Sequence, residues 1–305
     1  NSYTGTTTIT SGTLKLGNAS ALGTAAAGTT VSSGATLDLN GQNISNQETL
    51  SITGAGVSSG GALINSSATG ATYAGLVTLA NNSAIVGEAG TINLSNPDTI
   101  SGTFNLTLGG TQGGSITSLV GISTGSLTKV GAGTWTMSGL NTYTGGTNID
   151  EGILKAGSAS AFGASSGNVT VASGAVLDLN GTTLTNTNAL TLNGMGISTS
   201  GALTNSSSST GVYIGAITLG SDSAIGGTGG AISVTGSVNA SANNYGLAFI
   251  GTKAISLSST SNALRTIASN TTVGAITVVN TGDLEIGSIT AGGTTYDGIN
   301  AGGAI

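Results

Sequence analysis

The chain has 305 residues, a formal net charge of −6 and only 5% charged residues, against roughly 25% in an ordinary globular domain. With 37% apolar residues it is too hydrophobic for a disordered chain, and no stretch approaches the ~18 consecutive apolar residues of a membrane helix. Cys and His are both absent, which excludes disulfides, thiolate or imidazole metal sites, Cys nucleophiles and a Ser-His-Asp triad; five Lys+Arg cannot build a basic stripe, so no nucleic-acid partner is expected.

In chain order, the first feature is a long internal repeat. "NSYTGTTTITSGTLKLGNASALG" from Asn1 returns as "NTYTGGTNIDEGILKAGSASAFG" from Asn141, an offset of 140 residues that holds without gaps beyond ninety. "SGATLDLNG" (Ser33 to Gly41) pairs with "SGAVLDLNG" (Ser173 to Gly181), and "GALINSS" (Gly61 to Ser67) with "GALTNSS" (Gly201 to Ser207). The division this implies is a first long repeat over 1–140, a second copy over 141–235 and a diverged continuation over 236–305. Asn1 corresponds to an interior position and neither end reads as a cap, so a segment of a longer chain, or a unit that stacks end to end, is expected.

Within each copy run short alternating segments: "TLDLNG", "TLSITG", "LVTLANNS", "TINLSN", "FNLTLGG". Alternation of Thr, Val, Ile and Leu is the strand signal, and the closing Gly, Asn and Ser are turn residues. Helical periodicity is absent. Many short strands suggest a sandwich, barrel, propeller or β-helix. Ten aromatics (six Tyr, three Phe, one Trp) are few for a sandwich core, and a propeller repeats at about 40–50 residues. The expectation is therefore an all-β parallel β-helix (β-solenoid) rod with coils of about 20–25 residues. Aliphatic side chains fill its narrow interior, and Thr, Ser and Asn line the faces and turns. Trp135, in "GTWTMSG", is expected at the core or a coil edge.

The stretch "GSLTKVGAGTWTMSGLNTYTGGTNIDEGILKAGSASAFG" (Gly125 to Gly163) resembles the passenger-associated transport repeat of autotransporter passengers. Leu127, Lys129, Gly131, Gly133, Trp135, Asn141, Tyr143, Gly145, Thr147, Gly152 and Leu154 fall on its pattern, with Met137 where Leu is usual. A partial copy starts at Asn1 with Tyr3, Gly5, Gly12 and Leu14. "ITVVNTGDLEIGSITAGG" (Ile276 to Gly293) resembles filamentous-haemagglutinin-like exoproteins by composition. Both resemblances imply a right-handed parallel β-helix outside a Gram-negative cell, carried there by type V secretion. The implied partners are an outer-membrane translocator during secretion, neighbouring copies or further β-helix segments, and host or neighbouring-cell surface glycans. No cofactor is implied.

The acids are Asp38, Glu48, Glu88, Asp98, Asp150, Glu151, Asp178, Asp222, Asp283, Glu285 and Asp297. Asp38 and Asp178 are repeat equivalents and read as a structural position. Asp150–Glu151 and Asp283/Glu285 are the close pairs. The second pair, at i,i+2 on a strand, could set two carboxyls at the ~5–9.5 Å spacing that glycosidases use, although a solvated face is the plainer reading. Calcium is not indicated: "GGTGGAIS" at Gly226 lacks the Asp of the calcium-binding nonapeptide, and EF-hand spacing is missing. Lys15 and Lys155 are expected outward, and Lys129, Lys253 and Arg265 complete a basic set too small for a patch. Asn-x-Ser/Thr occurs at Asn18, Asn43, Asn65, Asn81, Asn93, Asn105, Asn168, Asn180, Asn205, Asn239 and Asn270, as chance favours in so Asn-, Ser- and Thr-rich a chain. The leading functional expectation is a structural stalk, fibre or adhesin scaffold, not an enzyme. The alternatives are a polysaccharide lyase or hydrolase on a β-helix, and an adhesin binding glycans through Tyr73, Tyr213, Tyr245 and Tyr296.

Overall fold

A computed structural model describes residues 1–227, 229–240, 242–269 and 273–300. Apart from two 3-10 turns, Val57–Ser59 and Ile197–Thr199, its regular elements are all strands, stacked in parallel as a β-solenoid except for one antiparallel hairpin. The chain divides into two compact units, Asn1–Thr147 and Asn148–Ile305.

In the first unit each strand pairs in register with one a coil later. Leu14 lies on Leu37, Leu37 on Leu63, Leu63 on Ile85, Ile85 on Leu108 and Leu108 on Lys129. A second inner column runs Ile9, Val31, Ile52, Leu79, and a third Tyr73, Leu94, Ile116, Met137. Partners lie 20 to 29 residues apart along the chain, as from Ile100 to Val120 and from Gly54 to Ser83. Stacked parallel strands with a two-residue side-chain period put one alternate set inward along the whole unit. Aliphatic columns therefore follow from the alternation in each segment. Asn65, fully buried, holds a turn from inside: Oδ1 accepts the Gly41 N–H at 2.9 Å, and Nδ2 donates to the carbonyls of Thr69 at 2.8 Å and Thr91 at 3.0 Å.

The second unit repeats the plan with Leu154, Leu177, Leu203, Ile225 and Phe249 in one column, and Tyr213, Val234, Leu257 and Val278 in another. Asn205 repeats the bonds of Asn65, accepting from Gly181 N–H and donating to the Ser209 and Ala231 carbonyls, each at 2.8 Å. After the parallel strand Glu285–Ile286 the chain changes habit. Ser288–Ala291 and Thr294–Asp297 form an antiparallel hairpin with Ile289 opposite Tyr296. Both side chains are buried on an outward row of Ala224, Ala248 and Ala268, beside Met195 and Ile250. The small alanine side chains leave room for that hairpin. The corresponding row in the first unit, Ala84, Thr107 and Thr128, is more polar.

Candidate functional site

The transport-repeat residues Leu127 to Thr147 lie in the first unit. Leu127–Lys129 and Thr134–Met137 are strands. Leu127, Trp135, Met137 and Tyr143 are fully buried, and Lys129, Asn141 and Thr147 nearly so or fully. The Trp135 indole N–H donates to the Gly109 carbonyl at 2.9 Å, and in register Trp135 lies on Gly114, where a Cβ would collide with the Ile92 backbone. Asn141 turns its Oδ1 to the Val120 N–H at 2.8 Å. The Tyr143 hydroxyl bonds the Thr147 hydroxyl at 2.7 Å, and burial pushes the phenol well above its ordinary range. Gly131 takes a left-handed φ of +71°. At Gly133 a Cβ would stand 2.6 Å from the Gly113 nitrogen, so only glycine lets the two backbones approach. Gly145 packs its backbone against Thr124 and Gly125 in the same way.

Lys129 is the unexpected member. It sits fully inside, at the top of the Leu–Ile column, and its Nζ donates to the carbonyls of Val130 at 3.0 Å and Gly131 at 2.5 Å. Its inward placement was present in the sequence. In "LTK" the lysine lies two residues after Leu127 and shares its face, whereas in "LK" Lys15 and Lys155 follow Leu14 and Leu154 directly and take the other face. Gly152 and Leu154 belong to the second unit. Gly152 has φ +68° and its carbonyl accepts the Val176 N–H, and Leu154 is buried on Leu177.

The repeat-equivalent acids form a second constellation, present once in each unit. Asp38 is almost fully buried; its Oδ1 accepts the N–H groups of Asn40 and Ser66, and its Oδ2 the Ser66 hydroxyl at 2.6 Å. Asp178 makes the same bonds with Asn180 and Ser206. Lys15 and Lys155 lie 3.8 and 3.5 Å from these carboxylates. These acids thus tie one coil's turn to the next, with every polar atom facing protein.

The two close acidic pairs are on the surface. Asp150 and Glu151 are exposed. Asp283 and Glu285 face an open groove of about 360 Å³ lined also by Asn244, Arg265, Thr266 and Leu284, where Arg265 Nε donates to Asn244 Oδ1 at 3.1 Å. Among the described residues no three His, Cys, Asp or Glu side chains converge on a metal position. The tyrosines correct one expectation. Tyr73, Tyr213 and Tyr296 are buried; the first two donate to the carbonyls of Glu48 and Asn188 at 2.7 and 2.8 Å. A phenol committed to the core offers no platform to a sugar, and of the four only Tyr245 is partly exposed. Two Asn-x-Ser/Thr positions, Asn65 and Asn205, are fully buried and cannot accept a glycan in the folded chain; Asn270 lies outside the described residues.

A family model for the passenger-associated-transport-repeat matches residues 1–16 and 127–156. Those two segments are similar to the passenger-associated transport repeat. The matched residues are less than a sixth of its length, and with the β-solenoid around them they are consistent with an autotransporter passenger. No curated protein and no solved structure matches the chain. The longer transport-repeat match covers Lys129, Trp135, Asn141 and Tyr143, whose side chains all bond within the solenoid.

Two features escaped the sequence reading. Val57 and Ile197, again repeat equivalents, stand partly exposed on matching tight turns whose next two residues all have positive φ: Ser58 (+49°) and Ser59 (+63°), Ser198 (+49°) and Thr199 (+57°). Adjacent left-handed residues without glycine store strain, and nothing in the residue types announces it. The other is Glu48, which is taken up below.

Proposed function

We propose that this chain is a structural β-solenoid segment of a secreted bacterial cell-surface protein, serving as stalk, fibre or adhesin scaffold. One observation carries the reading: the transport-repeat residues of the first unit are spent on the interior. Trp135, Lys129, Asn141 and Tyr143 are buried and bonded to neighbouring coils or to their own turn. Such residues set coil geometry and help a passenger fold as it emerges from an outer-membrane translocator. Low charge and long rows of Thr, Ser and Asn favour association with neighbouring copies or further β-helix segments, and surface glycans remain candidate ligands for regions outside the buried tyrosines.

The test is electron microscopy with immunogold against residues 1–305, on intact cells and on released material. Label on the cell surface, on fibres or tethered stalks, supports the reading. Label confined to the cytoplasm refutes it. The groove beside Arg265, Asp283 and Glu285 favours a second reading, a polysaccharide lyase or hydrolase. Cleavage of an acidic polysaccharide that disappears in Glu285→Gln supports it; turnover unchanged in that variant removes the groove from consideration.

A further inference from the structure

Glu48 is 1% exposed and sits where the second repeat has Asn188. Its surroundings are poor in donors. The Thr29 hydroxyl donates to Oε1 at 2.5 Å, and Oε2 has no hydrogen-bond partner. A buried carboxylate oxygen without a donor is costly. The other buried side-chain oxygen left without a partner among the described residues is Asn46 Oδ1, two residues away. Its amide is in hydrogen-bond reach of the Glu48 carboxyl.

The repeat twin has the same amide. Asn46 Nδ2 donates to the Gly23 carbonyl at 3.0 Å, and Asn186, its equivalent, donates to the Gly163 carbonyl at 2.5 Å. One hydrogen of each amide is so engaged. The twin also shows what the Glu48 position requires. Asn188 there acts as a donor, giving its Nδ2 hydrogens to the carbonyls of Ala164 at 2.6 Å and Gly167 at 2.7 Å. A carboxylate can only accept, whereas the protonated acid loses its charge and turns its unpartnered oxygen into a donor, as the twin's residue is.

We propose that Glu48 folds into the first unit as a neutral carboxylic acid, with Thr29 donating to Oε1 and the proton carried on the otherwise unpartnered Oε2. The first unit then takes up a proton on folding that the second unit, with Asn188, has no need of. Burial pushes the Glu48 carboxyl upward, and the Thr29 and Asn46 contacts only partly oppose this. The titratable group facing it is the Tyr73 phenol, itself raised by burial and neutral throughout the relevant range. The Lys15–Asp38 and Lys155–Asp178 ion pairs lie elsewhere. The sign follows from linkage. An acid whose folded pKa lies above its unfolded 4.5 contributes its full stability below that pH and loses it as the pH rises through the folded pKa. The Glu48 contribution to the first unit is thus largest below 4.5 and shrinks as the pH rises.

The experiment compares the wild-type chain with Glu48→Gln, which keeps a donor at any pH, and with Glu48→Asn, which imports the twin's residue. Glutamate labelled with ¹³C at the carboxyl gives four signals, from Glu48, Glu88, Glu151 and Glu285; the one missing in Glu48→Gln is Glu48. Its midpoint is expected above 4.5. The urea midpoint of the wild type, relative to Glu48→Gln, is expected to fall as the pH rises above that value. A Glu48 midpoint at or below 4.5, or a wild-type stability that gains on Glu48→Gln with rising pH, overturns the proposal. So does a response of the Glu48 signal to added Ca²⁺ or Na⁺ at fixed pH, since a cation would then occupy the gap. Should Glu48→Gln fail to fold, Glu48→Asn supplies the missing-signal assignment and the same comparison.

Discussion

Replacing Trp135 with alanine tests the idea that the transport repeat is a packing device. The indole is fully buried and its N–H donates to Gly109 at 2.9 Å. Truncating a buried Trp costs ~3–5 kcal/mol in transfer and cavity terms. The orphaned Gly109 carbonyl adds about 1 kcal/mol or more. Relaxation offers little relief. The residue in register below is Gly114, where a Cβ would collide with the Ile92 backbone, so backbone rather than mobile side chain walls that side. Trp135→Ala is therefore expected to lose about 4–6 kcal/mol. Trp135→Phe keeps most of the ring but strands the carbonyl, and should lose ~1–3 kcal/mol. Urea unfolding followed by circular dichroism gives the global change. Because solenoids unfold by neighbouring coils rather than strictly all at once, hydrogen exchange of the Thr134–Met137 amides is the sharper readout. Trp135 is the sole Trp, so wild-type fluorescence reports this coil alone and should be blue-shifted and shielded from acrylamide. A loss below about 1 kcal/mol in Trp135→Ala, with unchanged exchange at Thr134–Met137, would refute the reasoning.

Three further outcomes are expected. Asp178→Asn, which turns an acceptor for three donors into a mixed group, should cost ~1–3 kcal/mol, and Asp38→Asn likewise. Lys155→Ala, which removes only the partly exposed partner, should cost at most about 1 kcal/mol; equal losses from Asp178→Asn and Lys155→Ala would show that the ion pair dominates. Thr199→Gly relieves a β-branched residue at φ +57° and should raise the urea midpoint by an amount equivalent to ~1 kcal/mol; a drop would mean the hydroxyl matters more than the strain. Tyr73, Tyr143 and Tyr213, buried and raised, should show no phenolate absorbance until the chain unfolds in alkali. Their stabilisation is complete below the ordinary 10.0 and is lost as the pH rises through their higher folded values. Phenolate formation by all six Tyr at pH about 10 with the fold intact would contradict their burial.

Much of this was legible in the residues. The 140-residue offset placed Asp38 with Asp178 and Tyr73 with Tyr213, and the members of each pair do have matching bonds. The alternation in "GTWTMSG" placed Trp135 and Met137 on one face, and both are buried. Lys129 was equally readable by parity from Leu127. It was passed over because a lysine's usual place is the surface. The near-identity of the repeats also concealed differences: Thr29 and Glu48 stand for Val169 and Asn188, and only the coordinates reveal that one pair leaves an acceptor without a donor.

The sequence by itself determined which residues alternate, where the turns fall and that the pattern recurs. These follow from a two-residue side-chain period and from the few residue types that tight turns accept. It could not decide which side chains meet across coils. Contacting parallel strands are separated by 19 to 29 residues, a distance set by the loops between them, and one residue more or less changes every vertical neighbour. Only the tertiary structure therefore placed Lys129 on Leu108, Trp135 on Gly114, the hairpin on its alanine row and Glu48 against Asn46.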